Sequence, residues 1–181
     1  VLEAELRGLQ AQVEPHFLFN TLANLDALIG LDPKQARMLL GHINHYLRNS
    51  LTHARSAQCT LGEECEQLRA YLSIMEIRLP DRLRTTILCP PECAELPFAP
   101  MLLQPLVENA VRHGIEPSAS GGSITVTARI DGELLEIEVS DTGMGLNQAA
   151  RSKASNGTGL ANVRERLNAL YGSSASLELF A

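Results

Sequence analysis

Tryptophan is absent from this 181-residue chain and aromatic residues make up only 4% of it, so its core has to be built from aliphatic side chains. No apolar run approaches the roughly 18 residues of a membrane span, and no charged stretch followed by an apolar one opens the chain as in a signal peptide. The chain as given is therefore expected to be soluble. Basic residues are outnumbered, 15 Lys and Arg against 21 Asp and Glu, for a formal net charge of −6 and a pI near 5.4. With no basic stripe anywhere, nucleic acid is not the expected partner; protein or nucleotide is. The four cysteines, Cys59, Cys65, Cys89 and Cys93, lack the two-residue gaps of a zinc ribbon and read as reduced thiols acting as small hydrophobes. There is no internal repeat, no low-complexity tract and no GxxxxGK[ST] segment, which excludes a P-loop nucleotide site.

What the chain does have is apolar periodicity. Leu2, Leu6, Leu9 and Val13 form one helical stripe, and Leu18, Leu22, Leu25 and Ile29 a second, offset at Pro15, where a proline is expected to bend the axis and set His16 apart. Gly30 to Pro33 reads as a turn with Asp32 as N-cap, followed by a helix with Ala36, Leu39, Leu40, Ile43, Leu47 and Leu51 on one face. Such a hairpin cannot bury both stripes alone, so a second copy completing a four-helix bundle is expected. Thr60 and Glu63 have capping-box spacing ahead of Leu61, Cys65, Leu68, Leu72, Met75 and Leu79, a third helix ended by Pro80. Ile87 and Leu88 fall in a short strand. Met101 to His113 reads as a helix closed by Gly114, with Leu103, Leu106, Val107 and Ala110 on its apolar face and Glu108, Asn109 and Arg112 on another. Ile124 to Ile130 and Leu135 to Val139 alternate around Asp131 and Gly132 as a hairpin, a polar lid is expected from Gly145 to Gly159, a helix from Leu160 to Tyr171, and the start of a strand from Ser176. The expected class is α+β: a helical hairpin over residues 1–57, then an α/β sandwich with a mainly antiparallel sheet over 58–181.

The polar residues of the second half suit a nucleotide. Asp141 directly follows a strand, so it is a fixed acceptor for an exocyclic amine such as that of adenine. Gly143 and Gly145 let backbone pass close to base and ribose. Asn109 offers one oxygen to magnesium, which keeps most of its waters. Gly157 and Gly159 precede a helix and free backbone amides for phosphates, and Lys153 adds a lid charge. Arg112, His113 and Leu160 complete the candidate nucleotide-contacting set. His16 is the candidate acceptor, since a neutral imidazole is nucleophilic near neutral pH, whereas His42, His45 and His53 lie on a mostly polar helical face. Glu14 stands two residues back, roughly 200° around a helix from His16, so the candidate base is Glu108 or a residue on the partner hairpin.

With QPLVENAVRHG (104–114), DTGMG (141–145) and GTGLANVRERL (157–167) in this order, residues 98 to 172 resemble the Bergerat-type ATPase domain of sensor histidine kinases, Hsp90-like chaperones, type II topoisomerases and mismatch-repair ATPases. LQAQVEPHFLFNTL (9–22) and YLSIMEIRL (71–79) are similar to the LytS and YehU group of bacterial sensor histidine kinases, over nearly the whole chain. The resemblance implies ATP- and magnesium-dependent autophosphorylation of His16 in a homodimer. Transfer to an aspartate of a response regulator follows, often one with a LytTR-type DNA-binding domain. It maps Glu108 and Asn109 to an N box, Asp141, Gly143 and Gly145 to a G1 box, and Gly157 and Gly159 to a G2 box. Two departures are Leu79, where the group commonly has phenylalanine, and an end ahead of the usual final strand. The expected setting is the cytoplasmic side of the bacterial inner membrane, with attachment through segments ahead of Val1. The alternatives are an ATP-binding scaffold of weak kinase activity and a phosphatase of the regulator.

Overall fold

The computed structural model describes residues 15–55, 58–145 and 158–180. Its elements in chain order are α1 (Pro15–Leu31), α2 (Pro33–Arg55), β1 (Cys59–Thr60), α3 (Leu61–Arg78), β2 (Leu83–Leu88), α4 (Pro91–Ala94), β3 (Pro97–Phe98) and α5 (Gln104–Asn109), continued as a π-helix over Ala110–Ile115. Then come β4 (Gly122–Asp131), β5 (Leu134–Asp141), α6 (Thr158–Tyr171) and a 3-10 turn, Gly172–Ser174. The fold class is α+β, with two antiparallel strand pairs and one parallel pair among the described residues. No described helix is long and apolar enough to cross a membrane.

The chain forms two compact units, and both are discontinuous: residues 1–80 with 90–100, and residues 81–89 with 101–181. The division expected at 57/58 is not where the compact units part. The reason is α3, which packs on the hairpin and on the segment 90–100, while β2 pairs into the other sheet.

In the first unit, α1 and α2 form the expected hairpin. Asp32 Oδ1 accepts from the backbone N–H of Lys34 at 3.1 Å and of Gln35 at 3.0 Å, so the cap read from the sequence forms. The first stripe, Leu2 to Val13, lies outside the described residues. The second stripe is divided: Leu22 is 45% and Ile29 59% exposed, Leu18 and Leu25 are half-buried, and it is Phe17 and Thr21 that are buried. On α2 the inward face is Ala36, Leu39, Ile43, Tyr46 and Ser50, and Leu40 is exposed. Phe17, Tyr46 and Tyr71 meet as a ring cluster with centroids 5.5, 5.1 and 6.1 Å apart. Three of the chain's few aromatics thus concentrate at one point of the core, where each buries a large apolar area. The capping box forms at the start of α3: Glu63 N–H donates to Thr60 Oγ1 at 3.2 Å and Thr60 N–H to Glu63 Oε2 at 2.8 Å. Leu61, Cys65, Leu68, Leu72 and Met75 are buried as patterned, but so are Glu64, Gln67, Ala70, Tyr71 and Ile74. Helix α3 is enclosed on more than one side because the β1–β3 pair and α4 close over it; Leu61 N–H donates to Leu96 O at 3.0 Å.

In the second unit the sheet order is β2-β4-β5. The expected hairpin is β4–β5, turned at Gly132 with φ +63°, and its register sets Val126 opposite Val139. The parallel partner β2 runs from Leu83 opposite Gly122 to Leu88 opposite Thr127. Leu83, Leu102, Leu103, Val107, Val111, Ile115, Ile124, Val126 and Val163 are buried. The strand expected to begin at Ser176 forms no ladder with any described strand, and a strand exists only where its backbone groups find a partner.

Candidate functional site

The helix that carries Glu108 and Asn109 changes register beyond them. Glu116 N–H donates to Val111 O, five residues back, at 2.9 Å, the mark of a π turn. Gly114 was expected to close this helix; it lies inside it instead, and the reason for glycine here is tertiary. A Cβ at Gly114 would overlap Asp141 Oδ1, and one at Gly143 would overlap the backbone of Gly114. Met144 N–H donates to Gly114 O at 3.1 Å. The π-helix and the turn after β5 therefore cross backbone to backbone, with glycine on both sides of the crossing.

That crossing fixes Asp141. Its Oδ1 accepts from Gly143 N–H at 2.9 Å, and its Oδ2 has no hydrogen-bond partner among the described residues. The carboxylate is exposed, and Gly145 continues the turn with φ +72°. The turn is held from the sheet side by Thr142, whose N–H donates to Ser123 O at 3.0 Å and whose Oγ1 accepts from Ser123 N–H at 2.9 Å.

Helix α6 brings the last glycine to the same place. A Cβ on Gly159 would stand 3.1 Å from Asn109 Nδ2 and 3.5 Å from Asn109 Oδ1, so the start of α6 approaches the Asn109 amide through the gap a missing side chain leaves. Gly159 was expected to precede the helix; it lies in the first turn, because α6 starts at Thr158. Leu160 follows it, half-buried, and Arg166 of the same helix donates to Met101 O at 3.2 Å. Lys153 and Gly157 fall outside the described residues.

Glu108 is half-buried, and its Oε1 accepts from Gln104 Nε2 at 2.9 Å. Gln104 itself is buried, and the sequence reading assigned it no role although it stands one helical turn from Glu108 on the same face. Arg112 is exposed and His113 half-buried, both within the π-helix.

A purine nucleotide fits this arrangement. Asp141 offers a free carboxylate oxygen, the crossing of Gly114 and Gly143 leaves no side chain over the base position, and the start of α6 has backbone amides for phosphate. Magnesium fits too, since it needs few protein oxygens and Asn109 presents one beside Gly159.

His16 belongs to the first unit. It sits exposed in the first turn of α1, with Asn20 Nδ2 3.0 Å from its Nε2. Glu14 lies outside the described residues. His45 has the same kind of neighbour, Asn49 Nδ2 at 3.2 Å from Nε2. Among the described residues no three His, Cys, Asp or Glu side chains gather as a metal site. Cys59, Cys65 and Cys93 are buried, and none of the four cysteines forms a disulfide.

Comparison with known proteins matches two stretches of the chain to two families. Residues 4–83 match the histidine kinase family, and residues 98–179 match the family of histidine kinase-, DNA gyrase B- and HSP90-like ATPases. The chain is 35% identical over 184 residues to the sensor protein LytS of Staphylococcus haemolyticus, covering 97% of this chain and 32% of that protein. It is 37% identical over 185 residues to the LytS of Streptococcus agalactiae serotype V, covering 96% and 31%, and 36% identical over 176 residues to the sensor histidine kinase YpdA of Escherichia coli K12, covering 94% and 31%. The chain spans about a third of the length of these relatives. With a histidine kinase region and an ATPase region matched in tandem, the chain belongs to the LytS-like sensor histidine kinases.

Proposed function

We propose that this chain is the kinase region of a two-component sensor: ATP bound with magnesium in the second unit phosphorylates His16, which passes the phosphoryl group to an aspartate of a response regulator. The observation that carries this reading is the convergence of Asp141, Gly143, Gly114, Asn109 and Gly159 from three separate stretches of chain. Asp141 accepts from the base amine, the glycine crossing admits the purine, and the N-terminus of α6 takes the phosphates. Magnesium held at Asn109 neutralises charge on the transferring group, since phosphoryl transfer is mostly positioning and electrostatics. Gln104 orients the Glu108 carboxylate as the base that takes the imidazole proton. Arg112, His113, Lys153, Gly157 and Leu160 complete the nucleotide contacts. In functional terms residues 1–57 carry the acceptor and dimer contacts and residues 58–181 the nucleotide site.

The exposed Leu22 and Ile29, with Leu18 and Leu25 half-buried beside them, support a homodimer, because an apolar helical face in water is covered by a like face of a second copy. The regulator is of the LytTR type and the setting is the cytoplasmic face of the bacterial inner membrane, both carried over from the LytS and YehU resemblance.

The test is incubation of the chain and its His16→Gln variant with radiolabelled ATP and magnesium. Acid-labile, alkali-stable label on the parent alone establishes the reading. Nucleotide binding with no label on either protein points to a scaffold or to a phosphatase of the regulator, and an unaltered rate in Glu108→Gln removes that residue as base.

A further inference from the structure

Arg82 precedes β2, and its side chain reaches the segment that leaves the π-helix. Its Nη2 donates to Glu116 O at 3.0 Å and to Ser118 O at 2.7 Å, while its own carbonyl accepts from Gly122 N–H at 2.8 Å. Gly121 is the residue that permits this approach: it has φ +70°, and a Cβ there would overlap the Arg82 backbone. Residues 116–122 thus hang at three backbone positions from one residue of another stretch of chain. A guanidinium donating to two carbonyls at a helix C-terminus is a charge-assisted tie placed where the helix end is negative. Its Nε is buried without a partner, so the group is held by the bonds at its tip and not by a saturated network around it.

The segment that Arg82 holds joins the two walls of the pocket. Before it lies Gly114, whose carbonyl takes Met144 N–H; after it lies Ser123, whose backbone groups hold Thr142 by two hydrogen bonds. The turn 141–144 is therefore pinned between two anchors whose separation is set by residues 116–122. We propose that Arg82 is a positioning residue of the nucleotide site, acting through that segment to keep Gly114 and Ser123 at the spacing in which Asp141 and Gly143 are ready for the base. This rests on the reading of the second unit as an ATP pocket. An untied segment populates the binding-ready arrangement only part of the time, and apparent affinity falls by that fraction.

The experiment compares the parent chain with Arg82→Met and Arg82→Lys, using a fluorescent ADP analogue for affinity, labelling of His16 over a range of ATP concentrations, and a thermal melt. The expected result is an analogue Kd about tenfold higher in Arg82→Met. The KM for ATP rises in parallel, with the labelling rate at saturating ATP preserved, and Arg82→Lys, which keeps the charge but not the fork, lies between. A folded Arg82→Met with the parental Kd overturns the proposal, as does a loss of saturated rate at unchanged KM. If Arg82→Met does not fold, Arg82→Lys decides: an intermediate Kd supports the proposal and the parental Kd overturns it. Failure of the parent itself to bind the analogue overturns the ATP-pocket reading, and this proposal with it.

Discussion

The side-chain amide of Asn20 lies against the imidazole of His16, its Nδ2 3.0 Å from Nε2 and 3.4 Å from Nδ1. Reaching both ring nitrogens almost equally, it restrains the ring's rotation from one helical turn away without capping a single lone pair. Asn20→Ala is predicted to slow labelling of His16 about tenfold, since catalysis by positioning is steep in orientation, with little change in melting temperature because the pair is exposed. Asn20→Asp exchanges the donating amide for an acceptor and is predicted to slow labelling as Asn20→Ala does. Labelling at the parental rate in both variants would contradict this.

Gly114→Ala forces a methyl group into the Asp141 carboxylate. Overpacking against a side chain tied down by Gly143 N–H is predicted to cost about 1–3 kcal/mol of stability and to abolish nucleotide binding. Calorimetric melts with and without ADP read both effects, and a variant that still gains stability from ADP would refute the crossing as the floor of the site.

Tyr46 is 1% exposed at the centre of the ring cluster. Its replacement by alanine is predicted to destabilise the first unit by about 3–5 kcal/mol, the range for emptying a large aromatic site in a core. Urea unfolding followed by circular dichroism gives the number directly.

Thr60→Ala removes one half of the capping box at the start of α3. The predicted loss is about 1 kcal/mol, and Thr60→Ser should recover most of it because the hydroxyl is what caps. Equal loss in both variants would mean that the threonine methyl, not the cap, matters there.

Legibility in the sequence followed locality. Asp32 before Pro33, Thr60 three residues before Glu63, and Asp131-Gly132 between alternating runs act through atoms a few residues away, and each forms as read. The pairing of β2 with β4 was not legible, because Leu83 and Gly122 are joined only by tertiary contact. The stripe on α1 was legible as a stripe but not in its direction: Phe17 and Thr21 share the helical period with Leu18 and Leu22, and only the ring partners Tyr46 and Tyr71 decide which face turns in. At the candidate site, Asp141 and Asn109 stand out by residue type and order. Gln104 and Arg82 do not, since one bonds Glu108 and the other bonds backbone carbonyls, and neither leaves a motif.

The π turn of residues 110–115 amounts to one residue more than an α-helix of the same rise would hold. In that wider turn Glu116 N–H reaches Val111 O and not Arg112 O, so the side chains beyond Asn109 are aimed differently from those of an α-helix. A chain shortened by a single residue here would close into an ordinary helix and deliver everything downstream about 100° around the axis. For this stretch of the family the count of residues is therefore as much a part of the nucleotide site as their identity, and a one-residue gap in a relative would mark a pocket built on a different plan.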